Sequence, residues 1–150
     1  MKKKAFSLIE LMIVVSILGI MAAIVIPMFQ DNIQKAKEAA AKDSLRILRT
    51  AIEAYAAKNN GIPPGYPNND PTQTPALFGV MVHLIGNLQY LKEIPENPFN
   101  DDSVITVIDN GDAFPAEADG SSGWIYQPAT KNIRLNYPGA DSEGVKYFEY

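Results

Sequence analysis

The chain has no cysteine, which excludes disulfides, thiol nucleophiles and cysteine-ligated metals. Its single histidine, His83, has no second imidazole or thiol with which to share a zinc ion, and reads as a surface or helix-face residue. Positive charge is scarce from residue 60 onward, where four Lys or Arg face twelve Asp or Glu. Phosphate affinity comes mainly from Lys and Arg, so no nucleic acid is expected as a partner of this part. The spacings HExxH and G-x-S-x-G, the P-loop and GxGxxG are all missing, and the carboxylates stand on loop-like segments without a positioned partner. An enzyme is not expected.

Charge is missing altogether from Leu11 to Phe29, nineteen consecutive positions. Counted from Phe6, with Glu10 and two serines tolerated, the apolar run makes roughly 36 Å of helix, enough to cross a hydrocarbon core. Lys2, Lys3 and Lys4 hold the near flank in the cytoplasm, which puts the chain beyond Phe29 on the far side. A cleavable secretory signal has a shorter apolar region of about 7 to 15 residues. The helical pattern also continues past the membrane length: Ile33, Ala36, Ala40, Ile47, Leu48, Ala51, Ile52 and Tyr55 recur at threes and fours, with Glu38 and Lys42 as an i,i+4 pair. One helix is therefore expected from Phe6 to about Lys58, roughly 80 Å long if straight. Gly19 and Pro27 are its weak points, at about 1 and 3 kcal/mol in a helix interior, and a loosening or kink is expected there. Glu10 is the anomaly, because a carboxylate at a bilayer centre costs roughly 2.5 to 3.5 kcal/mol on insertion scales.

Residues 59–75, "NNGIPPGYPNNDPTQTP", carry five of the eleven prolines and read as the loop leaving the helix. Leu77, Met81, Leu84, Ile85 and Leu88 predict a second helix from about Ala76 to Tyr90. Val104 to Ile108, Trp124 to Gln127 and Asn132 to Asn136 read as strands, the last two joined as a hairpin across "QPATKN" and packed on the helix face of Ile52 and Tyr55. The closing "VKYFEY" is either an edge strand or an ordered tail. The expected fold is α+β: a long N-terminal transmembrane and amphipathic helix packed on a small antiparallel sheet. Its expected parts are residues 1–5, a helix over 6–58 with its membrane span at 6–29, and a globular domain over 59–150.

"KKKA" followed by "FSLIELMIVVSILGIMAAIVIP" closely resembles the class III leader and N-terminal helix of type IV pilins and of the pseudopilins of type II secretion. The resemblance implies that a prepilin peptidase cuts between Ala5 and Phe6, that Phe6 becomes the N-methylated terminus, and that Glu10 is the family's glutamate. Ala5 stands where the family usually has glycine, and its small side chain suits the position. Glu10 would then neutralise the new amine of a neighbouring subunit during assembly, turning two costly charges into one pair. The first turn also favours a negative charge there.

The loops from Phe99 to Gly123 and at "GADSEG" are rich in side-chain oxygen, and major pseudopilins resemble one another in holding calcium in a C-terminal loop. Asp109, Asp112, Glu117 and Asp119, or Asp141 and Glu143, are the candidate ligands for a structural calcium. No EF-hand spacing is present, and a solvated acidic surface is the plainer reading.

The expected function is that of a structural subunit of a type IV pilus-like filament, nearest to a pseudopilin of type II secretion. Its implied partners are other pilins or pseudopilins, the prepilin peptidase, an inner-membrane assembly platform and the lipid bilayer. The implied location is the inner membrane, single pass, with the C-terminal domain periplasmic, and then a periplasmic or surface filament. A surface pilin serving adhesion, motility or DNA uptake is the alternative, and a monomeric, membrane-anchored periplasmic binding domain is the alternative of another class.

Overall fold

A computed structural model describes residues 7–86 and 89–150. Ala5 and Phe6, the expected cut and N-methylation site, lie outside them. The described chain falls into two compact units that divide between Ala36 and Lys37.

One helix, α1 (Leu8–Lys58), runs through both Gly19 and Pro27. Its C-terminal end is set by chemistry the sequence displays. Asn60 and Gly61 take positive φ, and the Gly61 N–H reaches back to the Ala56 carbonyl at 2.8 Å, closing the last turn. Asn59 adds its side-chain amide to the Tyr55 carbonyl at 2.8 Å, and Pro63 and Pro64 prevent any continuation.

In the second unit, α1 supplies Ala41, Leu45, Leu48, Ile52 and Tyr55 to the core, spaced four, three, four and three apart. They pack with Val80 and Leu84 of α2 (Leu77–Ile85), with Ile105, and with Trp124, Tyr126, Ile133 and Leu135. Burying each large side chain stabilises the unit by about 1.5 to 3 kcal/mol. Ile33, Ala36, Ala40 and Ile47, read from the sequence as part of the same stripe, are exposed instead. The buried face is rotated from them and includes Glu38, whose Oε1 accepts a 3.4 Å hydrogen bond from the Tyr147 hydroxyl. Lys42 turns to Asp141 at 3.8 Å, so the expected Glu38–Lys42 pair gives way to tertiary partners.

The sheet has three strands in the order β1 (Ile105–Val107), β2 (Trp124–Gln127) and β3 (Asn132–Leu135). The hairpin is as expected: β2 and β3 are antiparallel, with Gln127 opposite Asn132 and Trp124 opposite Leu135. The sheet is nevertheless mixed rather than wholly antiparallel, because β1 runs parallel to β2 with Ile105 beside Trp124. The connection over residues 108–123 is long enough to cross over and bring the chain back in the same direction.

Helix α2 is shorter than its apolar spacing implies. It stops where Gly86 leaves helical geometry (φ −52°, ψ 126°), and the Leu91 N–H caps the Leu84 carbonyl at 3.0 Å. The closing residues form an ordered tail with a 3-10 turn at Tyr147–Glu149 that buries Tyr147 and Phe148. Arg49 of α1 holds this tail, its Nη2 donating to the Tyr150 carbonyl oxygen at 2.7 Å and to the Ile133 carbonyl at 3.2 Å.

Candidate functional site

Glu10 stands exposed in the first turn of α1, where the helix dipole favours its charge. Ser7 precedes it at the spacing of a capping box, a local signal that the apolar run obscures in the sequence. From here to Phe29 every large apolar side chain is exposed, from 42% at Val25 to 76% at Leu8. The stretch is long and apolar enough to cross a membrane, and none of it is buried within the chain. Its one internal hydroxyl is satisfied, with Ser16 Oγ donating to the Met12 carbonyl at 2.7 Å. Nothing approaches the position of a Cβ at Gly19. Such a surface is stable only against lipid or other apolar helices. Glu10 is its single ionisable side chain, and in apolar surroundings a carboxylate needs a cation or a set of donors.

The oxygen-rich loops use their carboxylates locally. Asp119 Oδ1 accepts from the Ser121 N–H at 2.9 Å, the Ser121 hydroxyl at 2.8 Å and the Asn136 amide at 2.7 Å. Asp141 Oδ1 accepts from the Glu143 and Val145 N–H groups, each at 2.9 Å, and its Oδ2 from the Tyr150 hydroxyl at 2.7 Å. Asp109 and Asp112 offer main-chain carbonyls to the Gln127 amide, at 3.4 and 2.9 Å, and Glu117 lies 3.6 Å from Lys146. Among the described residues, no three Asp, Glu or His side chains converge as they would around an ion. The fully buried residues that organise these loops are asparagines. Asn136 Oδ1 accepts from the main-chain N–H groups of Asp119 and Gly120, while Asn97 bridges Gly123 and Phe99.

His83 is more than a surface residue. Its ring stacks on Tyr55 at 4.7 Å, and its Nδ1 accepts the Gly65 N–H at 3.2 Å, which requires that nitrogen to be unprotonated. Burial pushes its pKa below the usual value near 6.5. The unfolded chain therefore binds this proton more readily than the folded one, so the contribution is whole above pH 6.5 and fades as pH falls through the lower folded value. A second loss follows below the ordinary carboxylate value of 3.8, because hydrogen bonds hold Asp70, Asp119 and Asp141 lower in the fold. Thermal melts across pH are expected to show both declines, with only the upper one absent in His83→Gln.

Residues 1–26 match the family model described as the prokaryotic N-terminal methylation motif. The type II secretion system core protein G of Vibrio cholerae is 31% identical over 128 residues, covering 81% of this chain and 85% of the relative. Fimbrial protein EcpB of Eikenella corrodens is 45% identical over 69 residues, covering 46% of this chain and 43% of the relative. The type IV major alpha-pilin of Moraxella bovis is 46% identical over 52 residues, covering 35% and 33%. The chain thus spans less than half the length of these two fimbrial relatives. No solved structure matches it.

Proposed function

Because the chain belongs to the family of type IV pilins and type II secretion pseudopilins, and is a membrane-anchored, pilin-like filament subunit, we propose that it serves as a pseudopilin of a type II secretion system. The observation that carries the choice is the reach of the likeness. A match of 128 residues to core protein G must extend well into the globular unit, whereas the fimbrial matches end within 69 and 52 residues. Higher identity within those shorter matches favours a surface pilin as the second reading.

On this reading the prepilin peptidase removes residues 1–5 and Phe6 is N-methylated. The span holds the subunit in the inner membrane with the acidic unit in the periplasm. An assembly platform then moves it into a filament in which the apolar surface from Leu8 to Phe29 exchanges lipid for the helices of other subunits. Glu10 neutralises the amine of the subunit beside it. The role is structural.

A strain lacking the chain separates the readings. Loss of exported proteins from the medium with surface filaments intact is the expected result. Loss of surface filaments with export unchanged would make the chain a surface pilin instead.

A further inference from the structure

Helix α2 is apolar on every side, its sequence "LFGVMVHLI" carrying no charged residue apart from what His83 can acquire. A helix of that composition is ordinarily buried all round. Its inner side is, through Val80 and Leu84. Its outer side is not: Phe78 is 77% exposed, Val82 48% and Met81 44%. Met81 and Ile85, with Ile94 and Val104, floor a cavity of about 600 Å³ beside the helix, and Glu93 and Glu96 stand exposed along it. Neither glutamate has an ion-pair partner among the described residues.

The occupant has to be apolar and flanked by positive charge. Another copy's residues 60–150 do not fit, since their four basic residues against twelve acidic would set like charges together. The chain does carry one segment of the right kind. On α1, the exposed Ile33, Ala36 and Ala40 are spaced three and four apart, and Lys37, four residues after Ile33 and three before Ala40, borders that face without an ion-pair partner among the described residues.

We propose that the α2 cavity docks the Ile33–Ala40 segment of α1 from a second copy of this chain, with Lys37 of that copy meeting Glu93 and Glu96. The inference rests on the filament reading above and names the surface through which neighbouring subunits engage. Apolar contact supplies the attraction, and Lys37 with the two glutamates fixes which segment enters.

Lack of native cysteine makes the test direct. Full-length chains carrying Ala36→Cys and full-length chains carrying Met81→Cys are co-expressed, and membranes with assembled filaments are oxidised. Disulfide-linked dimers are expected from the mixture, and at least tenfold fewer from Ala36→Cys paired with Gly111→Cys, a position with open space around it. Converting Glu93 and Glu96 to lysine should cut the Ala36–Met81 product at least tenfold, and converting Lys37 to glutamate in the other chain should restore part of it. Filaments that form without the Ala36–Met81 product, or a Met81→Cys chain captured by a different protein, would overturn the docking while leaving the filament reading intact. If the unaltered chain never assembles, both readings fail together.

Discussion

Replacing Glu10 with alanine is expected to leave the chain inserted in the membrane at its normal level while filaments disappear. The span from Leu11 to Phe29 is untouched by the change, so partition into the bilayer holds or improves slightly. Assembly has no such tolerance. If Glu10 neutralises the amine of the adjoining subunit, its loss leaves one uncompensated cation in apolar surroundings at every addition step. A cost of roughly 2.5 to 3.5 kcal/mol, the insertion-scale figure for a charged side chain, weakens each step about a hundredfold. Membrane fractionation and electron microscopy of sheared filaments measure the two outcomes separately. Glu10→Gln distinguishes charge from capping, because glutamine can still serve at the third position of a capping box. Assembly of Glu10→Gln at the unaltered level would reduce Glu10 to a helix-start residue, and assembly of Glu10→Ala would remove it from the interface.

The long helix was readable because its evidence is local. An uncharged run and a three-four repeat declare a helix whatever else the chain does, and Asn60–Gly61 before Pro63 marks its end. Which face is buried was less legible. Both Ile47 and Leu48 fit an apolar repeat, but only Leu48 is fully buried, since the choice is made by Trp124, Leu135 and Val80 from distant parts of the chain. The same limit explains β1. A three-residue strand shows no direction in its own sequence, and a parallel pairing follows from where residues 108–123 travel. Of the site, Glu10 and the apolar surface stand in the sequence as plainly as in the structure. The α2 cavity does not, because a short apolar run looks alike whether its own chain or another covers it. The buried Asn97 and Asn136 were hidden too, since asparagines in polar loops are ordinarily signs of turns rather than of anchors.

Gly123→Ala is the substitution within the globular unit expected to do most damage for least chemistry. Gly123 needs space rather than conformational freedom. A Cβ there would stand 2.0 Å from the Asp102 carbonyl oxygen and 2.8 Å from its carbon, both main-chain atoms that no side-chain rotation can move aside. Relief means shifting the chain that leads into β1, and three contacts depend on its place. The Gly123 and Trp124 N–H groups donate to the Val104 carbonyl at 3.0 and 3.1 Å, and Asn97 donates to the Gly123 carbonyl at 3.1 Å. A loss of about 3 kcal/mol is expected, the upper range for overpacking, against a total of roughly 5 to 15 kcal/mol for a domain. Trp124, the only tryptophan, is fully buried next door with its indole N–H on the Pro95 carbonyl at 2.8 Å, so its fluorescence reports the unfolding of this region directly. Urea titration of the full chain in detergent should move the midpoint sharply down for Gly123→Ala and hardly at all for Gly111→Ala, which meets nothing within 4 Å. Equal midpoints for the two variants would mean that the chain entering β1 yields freely, and that the pairing of β1 with β2 adds little to the stability of the sheet.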